Sequence, residues 1–360
     1  MCYKHRVDVR FTRMAHGPEA VGRLPDGKVV LATGVAPGDL AEVRVVADHA
    51  HHAQAEVVRL IEPSPDRRTA PCRHARSGEC GGCPWQHLTD AAQRREKEGL
   101  VRRELQRVAP EADVRSILAG EHAFGYRRRA KLGHDGPVLG YRKLRERKLF
   151  DINECPILDP RLAAALGEIR TAVTGWPSGN VDVLVDAQGE VIVGGPAEVF
   201  AQPNAEAEAL LVGLVLEAVP LGVSVAELFA GAGTFTRPLL ARGHKVAAWE
   251  GDKRSVARLK QRAPGALAHR MDLLGAVSKL DLGQPGAVLL DPPRQGAAPT
   301  VPAIVASRAP VVVYVSCDPM TLCRDLGLLR QGGYHVEWVQ PIDAFPQTFH
   351  VECVARLVRR

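Results

Sequence analysis

The sequence predicts an α/β protein in three parts: a small β-barrel, a cysteine-bearing middle, and a parallel α/β sheet. Three observations carry that reading. Residues 7–62 hold short strands at close spacing, "VDVRFTRMA", "KVVLATGV", "LAEVRVVADH" and "HAQAEVVRLIE", cut by turns such as "LPDGK" and "APGD". The last stretch, about 160 residues, alternates strand-like "VSVAELFA", "HKVAAWE", "GAVLLDPP" and "APVVVYVSC" with helical segments, the pattern of a parallel sheet. Between them stand a cysteine-rich loop and a strongly basic window. At 360 residues the chain has room for two or three such domains.

Composition is that of a soluble globular protein, with 46% hydrophobic and 24% charged residues. No apolar run approaches the roughly 20 residues that cross a bilayer. The start, "MCYKHRVDVRF", lacks the apolar centre of a secretory signal. A cytoplasmic monomer without membrane contact is the expectation. Net charge is +6, and Glu121 to Phe150 alone holds nine Lys or Arg against three acids. Arg127, Arg128, Arg129 and Lys131 open that window, with Tyr126 and Tyr141 among the cations. Cations interleaved with aromatic rings suit phosphates and stacked bases, which makes these four candidate RNA-binding residues. A solvated basic face is the competing reading.

The first part reads as an OB-type barrel, a fold often used to hold nucleic acid. "EPSPDR" follows as a linker. The charged stretch "TDAAQRREKEGLVRRELQRVA" predicts a helix opened by Thr89 or Asp90 as N-cap. Short strands return from about residue 120 to 197 and end in "VDVLVDAQGEVIVGG".

Within "PCRHARSGECGGCPWQH", Cys72, Cys80 and Cys83 lie close together, and Cys155 follows in "NECPILD". A disulfide framework does not suit a chain without a secretory signal. Zinc on four thiolates fits the Cys80–Cys83 pair, but such sites more often show two pairs. Three close cysteines plus a distant one followed by proline favour an iron–sulfur cluster. The glycines of "CGGC" let the backbone wrap closely around an inorganic core. Spacing ranks the cluster above zinc and leaves zinc open.

In the last part, "VAELFAGAGTFTRPLL" is a strand, a glycine turn and a helix. Gly231 and Gly233 let the backbone pass close to an adenosyl ligand. Glu250 ends the next strand, 19 residues after Gly231, where a carboxylate accepts hydrogen bonds from two ribose hydroxyls. A dinucleotide would use the same arrangement, but the full G-x-G-x-x-G is missing, which favours S-adenosylmethionine. Asp272 falls where the third strand would end and can reach the adenine. "LLDPPR" puts Asp291 at a strand tip beside two stiffening prolines. Asp-Pro-Pro is shared with enzymes that methylate exocyclic amines. Those usually carry an aromatic residue where Arg294 stands, and an amine needs no covalent catalyst.

"SCDP" offers such a catalyst. Cys317 closes the buried-strand pattern "PVVVYV", a position that suits both a small core thiol and a nucleophile facing a ligand crevice. Carbon 5 of uracil is a poor nucleophile until a thiolate adds at carbon 6. Carbon 5 can then attack a sulfonium methyl, and a base must remove its proton to expel the thiol. Cys317 can supply the thiolate. Glu352, flanked by apolar residues in "FPQTFHVECV" that can raise its pKa, can supply the base. Taken alone, Glu352 reads more plainly as structural.

In their order along nearly the whole chain, these motifs resemble the bacterial RNA uracil-5-methyltransferases that carry an iron–sulfur cluster. The barrel resembles a TRAM domain, and "CGGCPWQH" with Cys72 and Cys155 matches the ligands of a [4Fe-4S] cluster. "FAQPN", Phe200 to Asn204, resembles the family's F-x-Q-x-N motif, and "ELFAGAGTFT", "DPPR", "SCDP" and "FPQTFHVE" match its remaining motifs. The resemblance implies that Cys317 is the nucleophile and Glu352 the base. It implies a site for S-adenosylmethionine lined by Gln202, Phe229, Gly231, Glu250, Asp272 and Asp291. It also implies three domains: a TRAM/OB-like barrel over 1–62, a small α+β cluster-binding domain of 63–88 and 120–198, and a Rossmann-like methyltransferase domain of 89–119 and 199–360. The implied substrate is a uridine of structured RNA, ribosomal or transfer with ribosomal preferred, extruded from its loop for reaction at carbon 5. Asp318 stands where Asn is common and Gln347 where His is common, which leaves rate and base choice open. Two rivals are cytosine-5 methylation, whose thiol usually follows Pro or Thr, and a non-catalytic RNA-binding protein with a redox-sensing cluster. The intact catalytic motifs argue against the second.

Overall fold

The computed structural model describes residues 6–359 apart from 144, 145, 147, 187, 195–201 and 276. Arg145 and Arg147 of the basic window, Phe200 of "FAQPN" and Cys2 lie outside the described residues. The chain forms two compact units, one of Met1–Leu100, His122–Gly195 and Phe345–His350, the other of Val101–Glu121, Pro196–Ala344 and Val351–Arg360.

The first unit contains a closed barrel of five strands, Arg6–Met14, Glu19–Arg23, Val29–Thr33, Leu40–Asp48 and His52–Glu62. Around the barrel they follow the order first, second, third, fifth, fourth, and the third and fifth run parallel. This is the OB topology. Alternation, interrupted by a bulge between Phe11 and Arg13, drives the closure. Val9, Phe11, Met14, Val30, Ala32, Ala41 and Val43 fill the interior, while Asp8, Arg10 and Arg44 stay in water. Trp85 joins that core and donates from its indole nitrogen to the Gly17 carbonyl at 2.9 Å, which anchors the cysteine loop on the barrel.

The same unit holds an antiparallel sheet in the order Leu149–Asp151, Val138–Arg142, Arg129–Asp135, Gly179–Val185, Val191–Val193. Helices Pro160–Ala164 and Leu166–Val173 cover it with Leu162, Leu166, Ile169 and Val173. Asp159 caps the first helix by accepting from the Arg161 amide, with Pro160 in its opening turn.

The second unit is built on a nine-stranded sheet. Five parallel strands lie in the order Leu267–Arg270, Lys245–Glu250, Ser224–Leu228, Ala287–Leu290, Val311–Ser316. Glu352–Arg359 and Tyr334–Asp343 continue it antiparallel, and short Asp113–Val114 and Leu118–Ala119 pair with the latter. Ala287–Leu290 and Val311–Ser316 are buried along their whole length, because helices cover both faces: Ala205–Ala218 on one, Val301–Ser307 and Pro319–Gln331 on the other. This is the Rossmann-like arrangement that the alternation predicts. Strand order reverses between Ser224–Leu228 and Ala287–Leu290, and ligands bind outside the carboxyl ends at such a switch point.

The predicted charged helix forms as Asp90–Leu105. Ala92 packs in the barrel core, whereas Val101 and Leu105 pack in the core of the second unit. Among the described residues no helix is long and apolar enough to cross a membrane.

Candidate active site

The final strand, Glu352–Arg359, lies antiparallel to Val311–Ser316 with Cys353 opposite Ser316. One further step of that register brings Glu352 and Cys317 to the same carboxyl edge of the sheet. Glu352 is buried and Cys317 partly exposed. The parallel register of Leu290 with Tyr314 sets the "DPPR" loop beside them, with Asp291 at its root. Asp325, fully buried on the helix Pro319–Gln331, pins that loop by accepting from the Tyr314 hydroxyl at 2.7 Å and the Ala297 amide at 2.6 Å. Arg324 donates to the Gln295 carbonyl at 2.8 Å, a second tie on the same loop.

Burial dominates the protonation of this edge. It pushes the Cys317 thiol up to about 11, with Glu352, Asp291 and Asp318 adding to the rise and Arg294 opposing it. It lifts Glu352 to about 8, with the Asp291 charge adding and Arg294 again opposing, and lifts Asp291 to about 7. A further carboxyl, Glu227, escaped the sequence reading. It is buried on Ser224–Leu228, lifted to about 8 by burial, held down by its bond from the Thr236 hydroxyl at 2.6 Å and pushed up by Asp291. Its other oxygen, Oε1, has no partner among the described residues. The signal was present in "AELFAG", where an acid interrupts an apolar strand, a placement that is costly without a purpose.

These three carboxyls titrate higher in the folded chain than in the unfolded one, where they sit near 4. Between about pH 4 and pH 8 the native state therefore binds protons that the unfolded state has released. Their contribution to stability is full below that window, falls as pH rises through it, and is constant above it. Glu352→Gln cannot ionise, so its Tm relative to the wild type should climb from pH 5 to pH 8 in scanning calorimetry. A Tm difference that stays flat with pH would mean that Glu352 is already ionised at the acid end.

At the end of Ser224–Leu228 the chain turns through Phe229, Gly231 and Gly233 at φ of 60°, 56° and 89°. A side chain at Gly233 would press within 2.9 Å of Leu259, whereas one at Gly231 would meet nothing within 4 Å, so the turn faces open space there. Phe229 holds the left-handed conformation without being glycine, a strain on the order of 1 kcal/mol typical of functional turns. The Gly231 amide donates to Glu250 Oε2 at 2.9 Å and the Asp252 amide to Oε1 at 2.7 Å, which fixes the carboxylate across the turn. Asp272 follows Leu267–Arg270, exposed, with Oδ1 accepting from the Leu274 and Gly275 amides. Phe229, Gly231, Glu250, Asp272 and Asp291 thus all end or follow parallel strands at one edge. Gln202 lies on the segment leading to Asn204, which caps Ala205–Ala218 and donates to the Ala344 carbonyl at 3.1 Å.

Both departures from the family pattern have structural roles. Asp318 caps Pro319–Gln331, its Oδ1 accepting from the Met320 and Thr321 amides at 2.9 and 3.0 Å. Asparagine carries the same acceptor, so either residue satisfies the cap. Gln347 belongs to the first unit, where its side chain bonds Arg68, Gln93, Asp90 and the Ala123 carbonyl.

In that unit Cys72, Cys80, Cys83 and Cys155 are free thiols. Burial raises Cys80 to about 11 and Cys83 to about 12, and the nearby Cys155 sulfur adds to both. Phe124, Tyr126 and Ile157 wall in Cys83 and Cys155, and the Gly82 amide donates to the Cys80 sulfur at 3.3 Å. Thiols so placed keep their protons unless a bound cation displaces them. Among the described residues no three His, Cys, Asp or Glu stand as a ready site for a single metal ion. Arg127 turns inward: its Nε is buried without a partner among the described residues, and its charge faces Cys83 and Cys155. Arg129 and Lys131 approach Asp182 at 3.4 and 3.9 Å, and Arg128 remains partly exposed.

Comparison with known proteins follows the same lines. The family model for tRNA (uracil-5-)-methyltransferases matches residues 276–360. The chain is 30% identical to an uncharacterized RNA methyltransferase of Gloeobacter violaceus, over 98% of this chain and 96% of that protein. It is also 30% identical to the 23S rRNA (uracil(1939)-C(5))-methyltransferase of Chromohalobacter salexigens, over 96% of this chain and 88% of that protein. The crystal structure of the Pyrococcus abyssi tRNA (uracil-54, C5)-methyltransferase in complex with S-adenosyl-L-homocysteine superposes with a TM-score of 0.75, at 22% identity, over 98% of this chain and all of that one.

Proposed function

The chain belongs to the RNA (uracil-5-)-methyltransferase family, and from that premise we propose that it methylates carbon 5 of one uridine in structured ribosomal RNA through a covalent adduct on Cys317. The observation that carries this reading is the antiparallel register that brings Cys317 and Glu352 to one edge of the sheet, beside the switch point. The Cys317 sulfur bonds to carbon 6 of the uracil as the 5,6 double bond opens toward the ring carbonyl, with Arg294 favouring the thiolate. Bound S-adenosylmethionine supplies an electrophilic methyl group to carbon 5. Glu352, as a carboxylate, then takes the carbon 5 proton. The double bond re-forms, the carbon–sulfur bond breaks, and Cys317 leaves as thiolate. A carboxyl lifted to about 8 suits that role, because a base works best with a pKa near the operating pH.

Gln202, Phe229, Gly231, Glu250, Asp272 and Asp291 would hold the donor at the open side of the glycine turn. Arg128, Arg129 and Lys131 would meet RNA phosphates, with Arg127 supporting them from the cysteine pocket. We divide the labour as a barrel of 1–62, a cluster-bearing part of 63–88 and 120–198, and a catalytic part of 89–119 and 199–360. Ribosomal RNA is favoured because relatives named for 23S rRNA align at 30% identity over nearly the whole chain, against 22% for the transfer-RNA enzyme of known structure. In cells lacking the gene, mass mapping should show 5-methyluridine missing from one ribosomal position. An unchanged ribosomal map, or a loss confined to transfer RNA, would overturn that substrate.

We assign a [4Fe-4S] cluster to Cys72, Cys80, Cys83 and Cys155. The support is the shared electrostatic field of four free thiols, the Gly82 amide on Cys80, and the inward Arg127 charge. When bound, the cluster would keep the thiolates deprotonated and tie Cys155 to the 72–83 loop. Anaerobically isolated protein should contain iron and sulfide; stoichiometric zinc without iron would refute the assignment.

A further inference from the structure

Cys317 feels charges from the elements around it. Glu352 of the final strand, Asp291 after Ala287–Leu290 and Asp318 at the cap of the following helix oppose its thiolate, and Arg294 favours it. Arg294 stands on an exposed tip. Pro293, Arg294 and Gln295 face water, whereas Gly296 and Ala297 beneath them are buried. The Gly296 amide closes the turn on the Pro293 carbonyl at 2.8 Å. An arginine side chain carries about 2 kcal/mol of rotamer entropy, so its charge acts at one place only if the backbone beneath it is fixed.

The fixing comes from Asp325, fully buried under the loop. Its Oδ2 accepts from the Ala297 amide at 2.6 Å and from the Tyr314 hydroxyl at 2.7 Å, and its Oδ1 accepts from Arg324 Nε at 2.8 Å. Arg324 in turn reaches the Gln295 carbonyl at 2.8 Å. Gly296 lies at φ 80°, and a side chain there would come within 2.5 Å of both Asp325 Oδ2 and Arg324 Nη2. Glycine is thus required twice, for the turn and for the approach of the carboxylate. Tyr314 belongs to Val311–Ser316, the strand that leads into Cys317. One carboxylate therefore ties the strand that ends in the thiol to the loop that bears the cation. Burying a carboxylate costs several kcal/mol unless its lone pairs are satisfied, and here three donors converge on it. Asparagine would keep one acceptor and turn an N–H towards Arg324.

We infer that Asp325 is a positioning residue for the reaction: by holding the root of the turn against the strand that ends in Cys317, it sets the Arg294 guanidinium where its charge bears on the attacking sulfur. The inference rests on Cys317 as the nucleophile and adds a group that touches neither uracil nor the methyl donor. Arg324 and Gly296 serve the same tie.

The test is the rate of iodoacetamide alkylation at Cys317 at pH 8, read by mass spectrometry on the full-length protein without RNA. Arg294→Ala should slow it about three- to tenfold, because loss of a nearby cation lowers the thiolate fraction about tenfold per pKa unit while nucleophilicity rises in part. Arg294→Lys, which keeps the charge, should recover most of the rate. Asp325→Asn should slow alkylation about threefold, and the double variant Arg294→Ala with Asp325→Asn should be no slower than Arg294→Ala alone, since both act through one group. Arg324→Gln, a change at the surface, should slow it in the same direction and keeps the test open if Asp325→Asn does not fold. A merely structural tie predicts the opposite sign, because a loosened loop exposes the thiol and speeds its reaction. Faster or unchanged alkylation in Asp325→Asn and Arg324→Gln, or additive losses in the double variant, would overturn the inference and leave Cys317 as the nucleophile. Methylation by Cys317→Ala at the wild-type rate would remove both.

Discussion

Glu352→Gln is expected to trap its RNA, and Cys317→Ala to leave it untouched. In the proposed mechanism the two groups act on opposite sides of methyl transfer, so their removal should fail differently. Without Cys317 the ring is never activated, and neither product nor covalent complex should form. Glutamine keeps the shape of Glu352 but cannot accept the carbon 5 proton, so addition and methylation proceed while elimination stalls. Turnover should fall by roughly 10²–10⁴-fold, the usual worth of a general base. The methylated RNA should then migrate with the protein on a denaturing gel, carrying label from the donor methyl, and Cys317→Ala added to the Gln variant should erase that band. Wild-type turnover by Glu352→Gln without an adduct would exclude Glu352 as the base and turn attention to Asp291 and Asp318, the other carboxyls whose charge acts on Cys317.

Gln347→Ala should loosen the first unit without touching Cys317 or Glu352. Gln347 is fully buried at φ 73°. Its Oε1 accepts from Arg68 at 2.6 Å and Gln93 at 2.9 Å, and its Nε2 donates to Asp90 at 3.1 Å and the Ala123 carbonyl at 3.2 Å. Its own amide donates to Gln93 at 2.7 Å, and its carbonyl accepts from the Trp85 amide at 3.0 Å. Alanine would strand buried partners at about 1–3 kcal/mol each, so a loss of about 3–5 kcal/mol is expected after relaxation. It would also keep the left-handed backbone that disfavours any side chain. Gln347→Gly loses the same bonds but relieves that strain, and should recover about 1 kcal/mol. Hydrogen exchange at the Trp85 and Gln93 amides should rank protection as wild type, then glycine, then alanine. Alanine as protected as the wild type would show that the network contributes nothing.

Much of this architecture is written locally. Alternation along residues 7–62 sorts side chains between a barrel interior and water, and period two needs only neighbouring residues to be read. The unbroken apolar runs before Asp291 and Cys317 announce strands covered on both faces. The glycines at 231 and 233 announce a left-handed turn, because other residues avoid that conformation. Cysteine spacing likewise singles out Cys72, Cys80, Cys83 and Cys155 before any fold is known. Each of these signals depends on the chemistry of a few consecutive residues.

What the sequence left undecided depends on partners far away along the chain. Gln347 stands five residues before Glu352 and reads as part of the same motif. Yet Phe345–His350 packs in the first unit, held by Lys97 on the Phe345 carbonyl and Tyr126 on the Pro346 carbonyl. Arg127 reads like its two neighbours but faces the cysteines, since its backbone pairs with Ile157 and directs the side chain inward. Glu227 meets a second carboxyl only because Asp291 follows the adjacent strand. By itself, then, the sequence determined the chemistry on offer: a thiol at a strand tip, an acid among apolar residues, a glycine turn and four closely related cysteines. The tertiary structure decided which of these meet, because strand register sums weak contacts along entire strands, and a shift of one residue would turn Glu352 to the opposite face of the sheet from the one it now occupies.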